Sequence, residues 1–265
     1  MKFVSKVYTT IMYLFLYLPI LILVIFSFNA SKSRVTWNGF TLYWYERLFD
    51  DKEVLAALFN TLLVALVAAV LSTIIGTMAS IGISSLNKKV KKIVMSFTNI
   101  PMISPEIVTG VSLMLLYVFV YSRFGFLKPG LVTLILSHIT FCLPYVILSI
   151  LPKLRQFDKS LYEAALDLGC TPMNAFFKIT IPQIMPGILS GALMAFTLSI
   201  DDFVISYFTS GTVQTLPIII YSMTRKIISP EINALSTLLF GIVLFLLLLV
   251  NFQQVKSSKK RRAKI

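Results

Sequence analysis

Residues 55–86 read LAALFNTLLVALVAAVLSTIIGTMASIGISSL, a run of 32 residues without a charged side chain. A transmembrane helix needs about 20 mostly apolar residues, because the hydrocarbon core is about 30 Å thick and each helical residue rises about 1.5 Å. The run is therefore long enough to cross a bilayer. Apolar and polar residues do not alternate along it, so it predicts a helix and not a strand.

Five further runs of the chain are uncharged or carry only one or two acids, and together the six runs predict six transmembrane helices. The expected spans are residues 8–28, 56–84, 104–122, 131–151, 187–208 and 232–251. No small-residue cleavage site follows the first span, so we expect a retained helix instead of a signal peptide. The predicted fold class is all-α: a polytopic membrane protein with a single transmembrane domain over residues 1–265.

The composition of the whole chain excludes most other classes of protein. Of its 265 residues, 57% are hydrophobic and only 13% are charged, whereas soluble domains carry about 25% charged residues. The net charge of +13 does not indicate binding to nucleic acid, because far too much of the chain is apolar. Two cysteines in unlike contexts, Cys142 and Cys170, and one histidine, His138, supply neither a disulfide scaffold nor a metal cluster. We therefore expect no metal site.

The distribution of positive charge predicts the orientation of the chain. Sixteen of the 24 Lys and Arg residues lie before the first span, after the second and fourth spans, and in the C-terminal tail. Cytoplasmic loops of membrane proteins are enriched in these two residue types. We therefore expect both termini in the cytoplasm, and the net charge reflects topology instead of an acidic partner.

The longest cytoplasmic connection, about residues 153–186, carries the signals of two short helices. Asp158 can cap the first helix, and Gly169 stands where the end of a helix favours a left-handed residue. The expected apolar face of this helix consists of Leu161, Ala165 and Leu168.

A second helix is expected at about Pro172–Thr180, because Thr171-Pro172 combines an N-cap residue with proline at the first helical position. Pro182 is expected to end it. Physical reasoning leaves two interpretations of the connection open. The helix pair rests on lipid, or it is a docking element for a soluble partner.

A short pattern in this connection resembles the EAA motif of ABC-importer permeases. Glu163-Ala164-Ala165 is followed by three residues, Gly169, nine residues and then Ile179-Thr180-Ile181-Pro182, which matches the spacing of that motif. The departure is Ile181, where leucine is usual. The resemblance implies that Glu163, Ala164, Ala165 and Gly169 belong to a coupling helix that enters a cleft of a cytoplasmic ATPase.

Other segments, spread over nearly the whole chain, are similar to spermidine/putrescine permeases of the PotC type. They are TLYWYERLF from Thr41, NTL from Asn60, LSIDDF from Leu198 and SPEINA from Ser229. The resemblance implies a MetI-like type I ABC importer permease in a bacterial inner membrane. It also implies a second homologous permease subunit, two ATPase subunits and an extracytoplasmic polyamine-binding protein.

Three acids lie inside otherwise apolar runs, two of them in the fifth span. A carboxylate at mid-bilayer costs roughly 2.5–3.5 kcal/mol on insertion scales, so such residues usually face a protein interior or a wet cavity. On a continuous helix, Asp202 shares a small and polar stripe with Ser199, and Asp201 lies about 100° away from it. We therefore expect Asp202 and Ser199 on a substrate pathway, and the resemblance supports Asp201 as well. The alternative for both acids is an interhelical hydrogen bond or ion pair.

Glu106 and Trp44 complete the candidate pathway. Ser104-Pro105-Glu106 has the pattern of a helix start, where the helix dipole favours a carboxylate. Glu106 nevertheless falls inside the membrane region, so capping and a pathway role both remain open. Most aromatic residues of the outer loop before the second span fit an interfacial belt. A ring face also attracts organic cations, and the resemblance selects Trp44 for that role.

The expected function is transport of polyamines into the cytoplasm by alternating access, coupled to a separate ATPase. The chain contains no Walker A sequence, so we expect no catalytic residues and no cofactor in it, and ATP and Mg²⁺ bind to the partner ATPase. Two alternatives remain: a stand-alone ion-coupled cation carrier or channel, and an ABC permease for another small substrate.

Overall fold

A computed structural model describes residues 2–31, 36–225 and 230–262, with side chains described between residues 5 and 248. Within these ranges the chain is almost entirely helical, and its β-structure is limited to an antiparallel bridge between Asn29 and Phe40. Six helical segments of the described chain are long and apolar enough to cross a membrane. The predicted all-α, polytopic fold class is confirmed.

The described ranges form twelve α-helices and one π-helical turn, which joins α8 to α9. They are α1 Lys2–Phe26, α2 Tyr43–Asp50, α3 Lys52–Ser85, α4 Lys88–Ile103, α5 Glu106–Phe124, α6 Leu131–Gln156, α7 Lys159–Asp167, α8 Pro172–Ala175, the π-turn Phe176–Thr180, α9 Ile181–Asp201, α10 Val204–Thr209, α11 Leu216–Arg225 and α12 Glu231–Arg262.

The chain divides into two compact units. Unit 1 comprises residues 1–59 and 216–246, and unit 2 comprises residues 60–215 and 247–265. The core of unit 1 is formed by α2, α11 and the first turns of α3 and α12. Its buried residues are Trp44, Leu48, Val54, Ala57, Leu216, Ile219, Ala234 and Leu235. The single transmembrane domain expected from the sequence stays a prediction.

Unit 2 is built around the contact between α6 and α9. Glycine allows the two helices to approach closely, because a Cβ atom at Gly187 would lie 3.0 Å from the carbonyl oxygen of Ser149. A Cβ atom at Gly191 would lie 3.2 Å from Cα of Val146. Small residues permit such close packing in membranes, where lipid supplies no hydrophobic drive between helices.

The third predicted span is preceded by a helix that the apolar pattern did not indicate. In α4, four lysines crowd the first turns, and Asn87 caps the helix by accepting the backbone N–H of Val90 at 3.0 Å. Ser104, expected as the N-cap of the span, instead ends α4, and Pro105 precedes α5. Proline interrupts the helix here because it has no N–H group and disfavours helical geometry in the residue before it.

The fifth predicted span is wrong in its continuity and its bounds. The helix α9 ends at Asp201, Asp202 is extended with φ −65° and ψ 120°, and α10 begins at Val204. Pro182 does not end the preceding helix as expected. The π-turn lets the N–H of Ile181 bond to the carbonyl of Phe176, and Pro182 then lies in the first turn of α9, where its missing N–H is tolerated.

Candidate functional site

The connection between α6 and α9 folds into a helical hairpin, residues 158–180, as predicted. Asp158 caps α7 by accepting the backbone N–H of Ser160 at 3.0 Å. The hydroxyl of Ser160 and then its N–H hold the pKa of the Asp158 carboxyl below its usual range. Thr171 caps α8 by accepting the N–H of Asn174 at 3.4 Å. The hairpin therefore has a defined geometry at each helix start.

Gly169 forms the turn of the hairpin in the left-handed conformation that the sequence predicts, with φ +86°. Its N–H bonds to the carbonyl of Leu166 at 2.9 Å, and the N–H of Cys170 bonds to the carbonyl of Ala165 at 3.0 Å. This pair of hydrogen bonds is a Schellman motif, which satisfies the last carbonyl groups of a helix and requires the left-handed residue.

The four residues of the expected coupling element have different environments. Glu163, Ala164 and Gly169 are exposed, whereas Ala165 is only 6% exposed and lies on the side of α7 that contacts α8 and the π-turn. Of the apolar face predicted for α7, Ala165 is buried. Leu161 is 46% exposed, and Leu168, which follows the last residue of the helix, is 87% exposed.

The exposed side of the hairpin therefore carries large apolar side chains. They belong to Leu161, Leu168, Met173 and Phe177. Leu161 and Leu168 precede the candidate membrane span that begins at Pro172, and a group of exposed apolar side chains there suits contact with another molecule.

Asp202 lies inside unit 2, at the break between α9 and α10. The residue is 8% exposed, and its carboxylate accepts the backbone N–H of Ser206 at 2.8 Å and that of Ile205 at 3.3 Å. It also lies 3.5 Å from Nε2 of His138. These contacts match the structural alternative considered for this acid, and its place on a substrate pathway stays a prediction.

His138 joins the predicted residue Ser199 to this cluster. Its Nδ1 lies 2.6 Å from Oγ of Ser199, and its Nε2 lies 2.9 Å from Oγ of Ser206. All three side chains are buried. The sequence indicated only packing for His138. The sequence signal for a polar role was the position of His138 in an uncharged span, where an imidazole ring needs polar partners.

Asp201 and Glu106 are exposed acids of unit 2 that lie outside the hairpin, each at a helix end. Glu106 is the first residue of α5, and Asp201 is the last residue of α9. The helix α5 contacts α10, which follows the break, and an added Cβ atom at Gly110 would lie 3.5 Å from the carbonyl oxygen of Val204. Two exposed acids thus lie on separate elements, one at the start of α5 and one just before α10, which contacts α5, and their negative charges suit a ligand with positive charge.

Trp44 lies in unit 1 and is 3% exposed in the core of that unit. Its indole N–H donates to the carbonyl oxygen of Asn29 at 2.8 Å. The structure therefore does not support the predicted contact between this ring and a cation, because protein covers the ring faces. Other aromatic side chains of the outer loop, those of Trp37, Phe40, Tyr43 and Phe49, are exposed.

Comparison with known proteins identifies the family of this chain. Residues 72–262 match the family described as binding-protein-dependent transport system inner membrane component. The putrescine transport system permease protein PotI of Escherichia coli K12 is 41% identical over 250 residues, covering 93% of this chain and 89% of the relative. The spermidine/putrescine transport system permease protein PotC of Haemophilus influenzae is 39% identical over 248 residues, covering 93% and 95%.

A solved structure shares the fold. It is the crystal structure of a bacterial ABC transporter involved in the import of the acidic polysaccharide alginate, with a TM-score of 0.74 and 16% sequence identity. The match covers 96% of this chain and 95% of that chain. The chain thus belongs to the binding-protein-dependent transport system inner membrane components and is a multi-pass permease of the ABC importer type.

Proposed function

We propose that this permease conducts polyamines into the cytoplasm and is driven by ATP hydrolysis on a partner that grips the hairpin. The observation that carries the substrate class is the exposed acidic pair, Asp201 and Glu106, in otherwise apolar surroundings. The names of the two relatives, one a putrescine permease and one a spermidine/putrescine permease, support the same substrate class.

The chemistry of a polyamine fits two carboxylates on separate helices. A polyamine carries at least two ammonium groups, and each must exchange water for another negative or polar partner when it enters an apolar channel. A hydrogen bond to a charged group contributes about 1.5–3 kcal/mol. Asp201 and Glu106 supply one such partner each, and the flexible chain of the substrate spans the distance between them.

The geometry of the hairpin supports docking to a partner protein and not a position on the lipid surface. Its turn is fixed by the left-handed Gly169, and its exposed apolar side chains include Leu168 and Phe177. We propose that these groups enter a cleft of a cytoplasmic ATPase, which binds ATP and Mg²⁺. Two such subunits, a second homologous permease and an extracytoplasmic polyamine-binding protein complete the assembly, with both termini of this chain in the cytoplasm.

Uptake of labelled putrescine by cells that express the whole transporter tests the proposal. Removing one carboxylate charge by Asp201→Asn or Glu106→Gln is expected to lower uptake about tenfold, which corresponds to about 1.4 kcal/mol of barrier. Asp50→Asn is the matched control, because Asp50 is an exposed acid of unit 1 outside this region. Immunoblots of membranes ensure that the variants are compared at equal abundance.

Three outcomes would contradict the proposal. Undiminished putrescine uptake in both acid variants would remove the acidic pair from the pathway. Uptake that follows an ion gradient in ATP-depleted vesicles would instead identify a stand-alone carrier. ATP-dependent transport of another small substrate, with no transport of putrescine and no inhibition by it, would identify an ABC permease for that other substrate.

A further inference from the structure

One buried side chain connects both sides of the break in the fifth span. Ser199 lies in the last turn of α9, and Ser206 lies in α10. His138, from α6, contacts the first through Nδ1 at 2.6 Å and the second through Nε2 at 2.9 Å. Its ring also faces the carboxylate of Asp202, which is the extended residue of the break.

The local sequence does not explain the break. The segment LSIDDFVISYF, residues 198–208, contains neither proline nor glycine, and its residues are compatible with a continuous helix. Interrupting a helix inside a membrane leaves backbone N–H groups that need new acceptors. Asp202 supplies acceptors for two of them, but this cap requires the extended conformation to be held. The contacts of His138 supply that restraint from a neighbouring helix.

The break lies between an exposed acid, Asp201, and the elements that follow the buried acid Asp202. With Asp202 turned inward, Asp201 ends α9 on the exposed side, and α10 packs against α5 close to Gly110. The extended residue of the break lets α10 depart from the axis of α9, and α10 is the element that packs against α5, whose first residue is Glu106. The arrangement of the acidic pair therefore depends on the break.

We propose that His138 is a positioning residue. It keeps the helix interrupted at Asp202 and thereby places Asp201 beside Glu106. The geometric part of this proposal stands by itself, and only its consequence for transport rests on the proposed function. His138 contacts no substrate and acts entirely through Ser199, Ser206 and Asp202.

The geometric part is tested by the accessibility of position 201. Asp201→Cys is placed in a Cys170→Ser background and labelled in membranes with a hydrophilic thiol reagent, and the buried Cys142 is monitored separately. We expect His138→Phe, which keeps a ring but loses both hydrogen bonds, to slow labelling at least threefold. Tyr117→Phe is the matched control, since it removes another buried hydrogen bond, 3.1 Å long, from Ser137. An unchanged labelling rate in His138→Phe would overturn the proposal.

The consequence for transport is tested by combining His138→Phe with Asp201→Asn. A residue that acts through Asp201 adds little to a variant already lacking that carboxylate, so the double variant is expected to transport within twofold of Asp201→Asn alone. Losses that multiply indicate general damage and contradict the proposal, as does wild-type uptake in His138→Phe. If Asp201→Asn alone transports normally, the proposed substrate pathway fails, while the labelling result still decides the geometric part.

Milder variants keep the test decisive if His138→Phe does not accumulate in membranes. Ser199→Ala and Ser206→Ala each remove one contact of the imidazole and keep the ring. Each is expected to slow labelling at position 201, by less than the full loss of the ring contacts. His138→Gln or His138→Asn, which retain one polar contact, are expected to restore part of the labelling rate. Equal rates in all four variants and the unaltered chain would refute the positioning role.

Discussion

Asp201 and Asp202 are adjacent, yet their surroundings give them different tasks. The charge of Asp202 is buried and is compensated by two backbone N–H groups and the imidazole of His138. Hydrogen bonds to charged groups contribute about 1.5–3 kcal/mol each, which makes burial of this carboxylate tolerable. Asp201 is exposed, as is Glu106 at the start of α5, so both carboxylates are available to a cation.

Gly169 provides a sharp prediction for the coupling role of the hairpin. Its φ of +86° costs a residue with a Cβ atom roughly 1–2 kcal/mol, so Gly169→Ala is expected to distort the turn. In reconstituted transporter we expect ATP hydrolysis to continue while putrescine uptake per ATP falls severalfold. Measuring both rates on the same vesicles checks this.

Gly169→Asn is the control for that experiment, because asparagine enters the left-handed region more readily than alanine. It is expected to retain more coupling than Gly169→Ala. Normal transport by Gly169→Ala at normal membrane abundance would show that the turn does not transmit the ATPase motion.

Sequence patterns predicted some of these residues well and others poorly, for physical reasons. The caps at Asp158 and Thr171 and the left-handed Gly169 depend on local chemistry, so the sequence was sufficient. The inward position of Asp202 depends on His138, which is 64 residues away in the chain. No helical periodicity reveals such a contact. Burial of Trp44 likewise follows from the packing of α2 on distant segments.

Among the helices, α6 and α9 approach each other closely at two glycines of α9, Gly187 and Gly191. An added methyl group at Gly187 would lie 2.9 Å from Cγ of Lys153 and 3.0 Å from a backbone oxygen. Gly187→Ala is therefore expected to lower stability by about 1–3 kcal/mol, the usual cost of overpacking. Thermal unfolding of the detergent-purified transporter measures this as a lower transition temperature.

The matched control for Gly187 is Gly82, an exposed glycine of α3 with no atom within 4 Å of an added Cβ. Gly82→Ala is expected to be neutral or stabilising, by up to roughly 1 kcal/mol, since alanine favours a helix over glycine. Equal stability losses at Gly82 and Gly187 would show that the α6–α9 contact has no special need for glycine.

The number of membrane spans was predictable, whereas several short helices and the helix interruptions were not. Long apolar runs fixed the six spans because the bilayer sets their length. The helix α4 escaped prediction because its lysines resemble a polar loop, and its amide cap, Asn87, is a weak signal alone. The π-turn before Pro182 is a widened helical turn that accommodates the proline. A rule that treats proline as a helix breaker does not predict it.

For the entire chain, the orientation in the membrane is the prediction that remains to be measured. Cys170 is exposed on the hairpin, and Cys142 is buried in α6 with its thiol 3.3 Å from the carbonyl of Ala195. A membrane-impermeant thiol reagent is expected to label Cys170 in inverted vesicles and not in right-side-out vesicles. Cys142 is expected to react only after denaturation.

Cys170→Ser provides the blank for this labelling experiment. Labelling of Cys170 from the outer side of intact cells would reverse the topology, and with it the proposed contact between the hairpin and a cytoplasmic ATPase. The excess of Lys and Arg in the predicted cytoplasmic segments is the physical basis of the expectation.

The end of α9 at Asp201 has an electrostatic consequence of its own. The N–H groups of Ile205 and Ser206 bond to the side chain of Asp202, so they are not given to the main-chain oxygens one turn back. The peptide dipoles of α9 therefore finish with their negative pole beside Asp201, where a helix terminus attracts a cation by about 0.3–1 kcal/mol. The negative pole repels the carboxylate of Asp201 until a cation binds there. With an uncharged side chain at this position, the end of the helix would still attract cations.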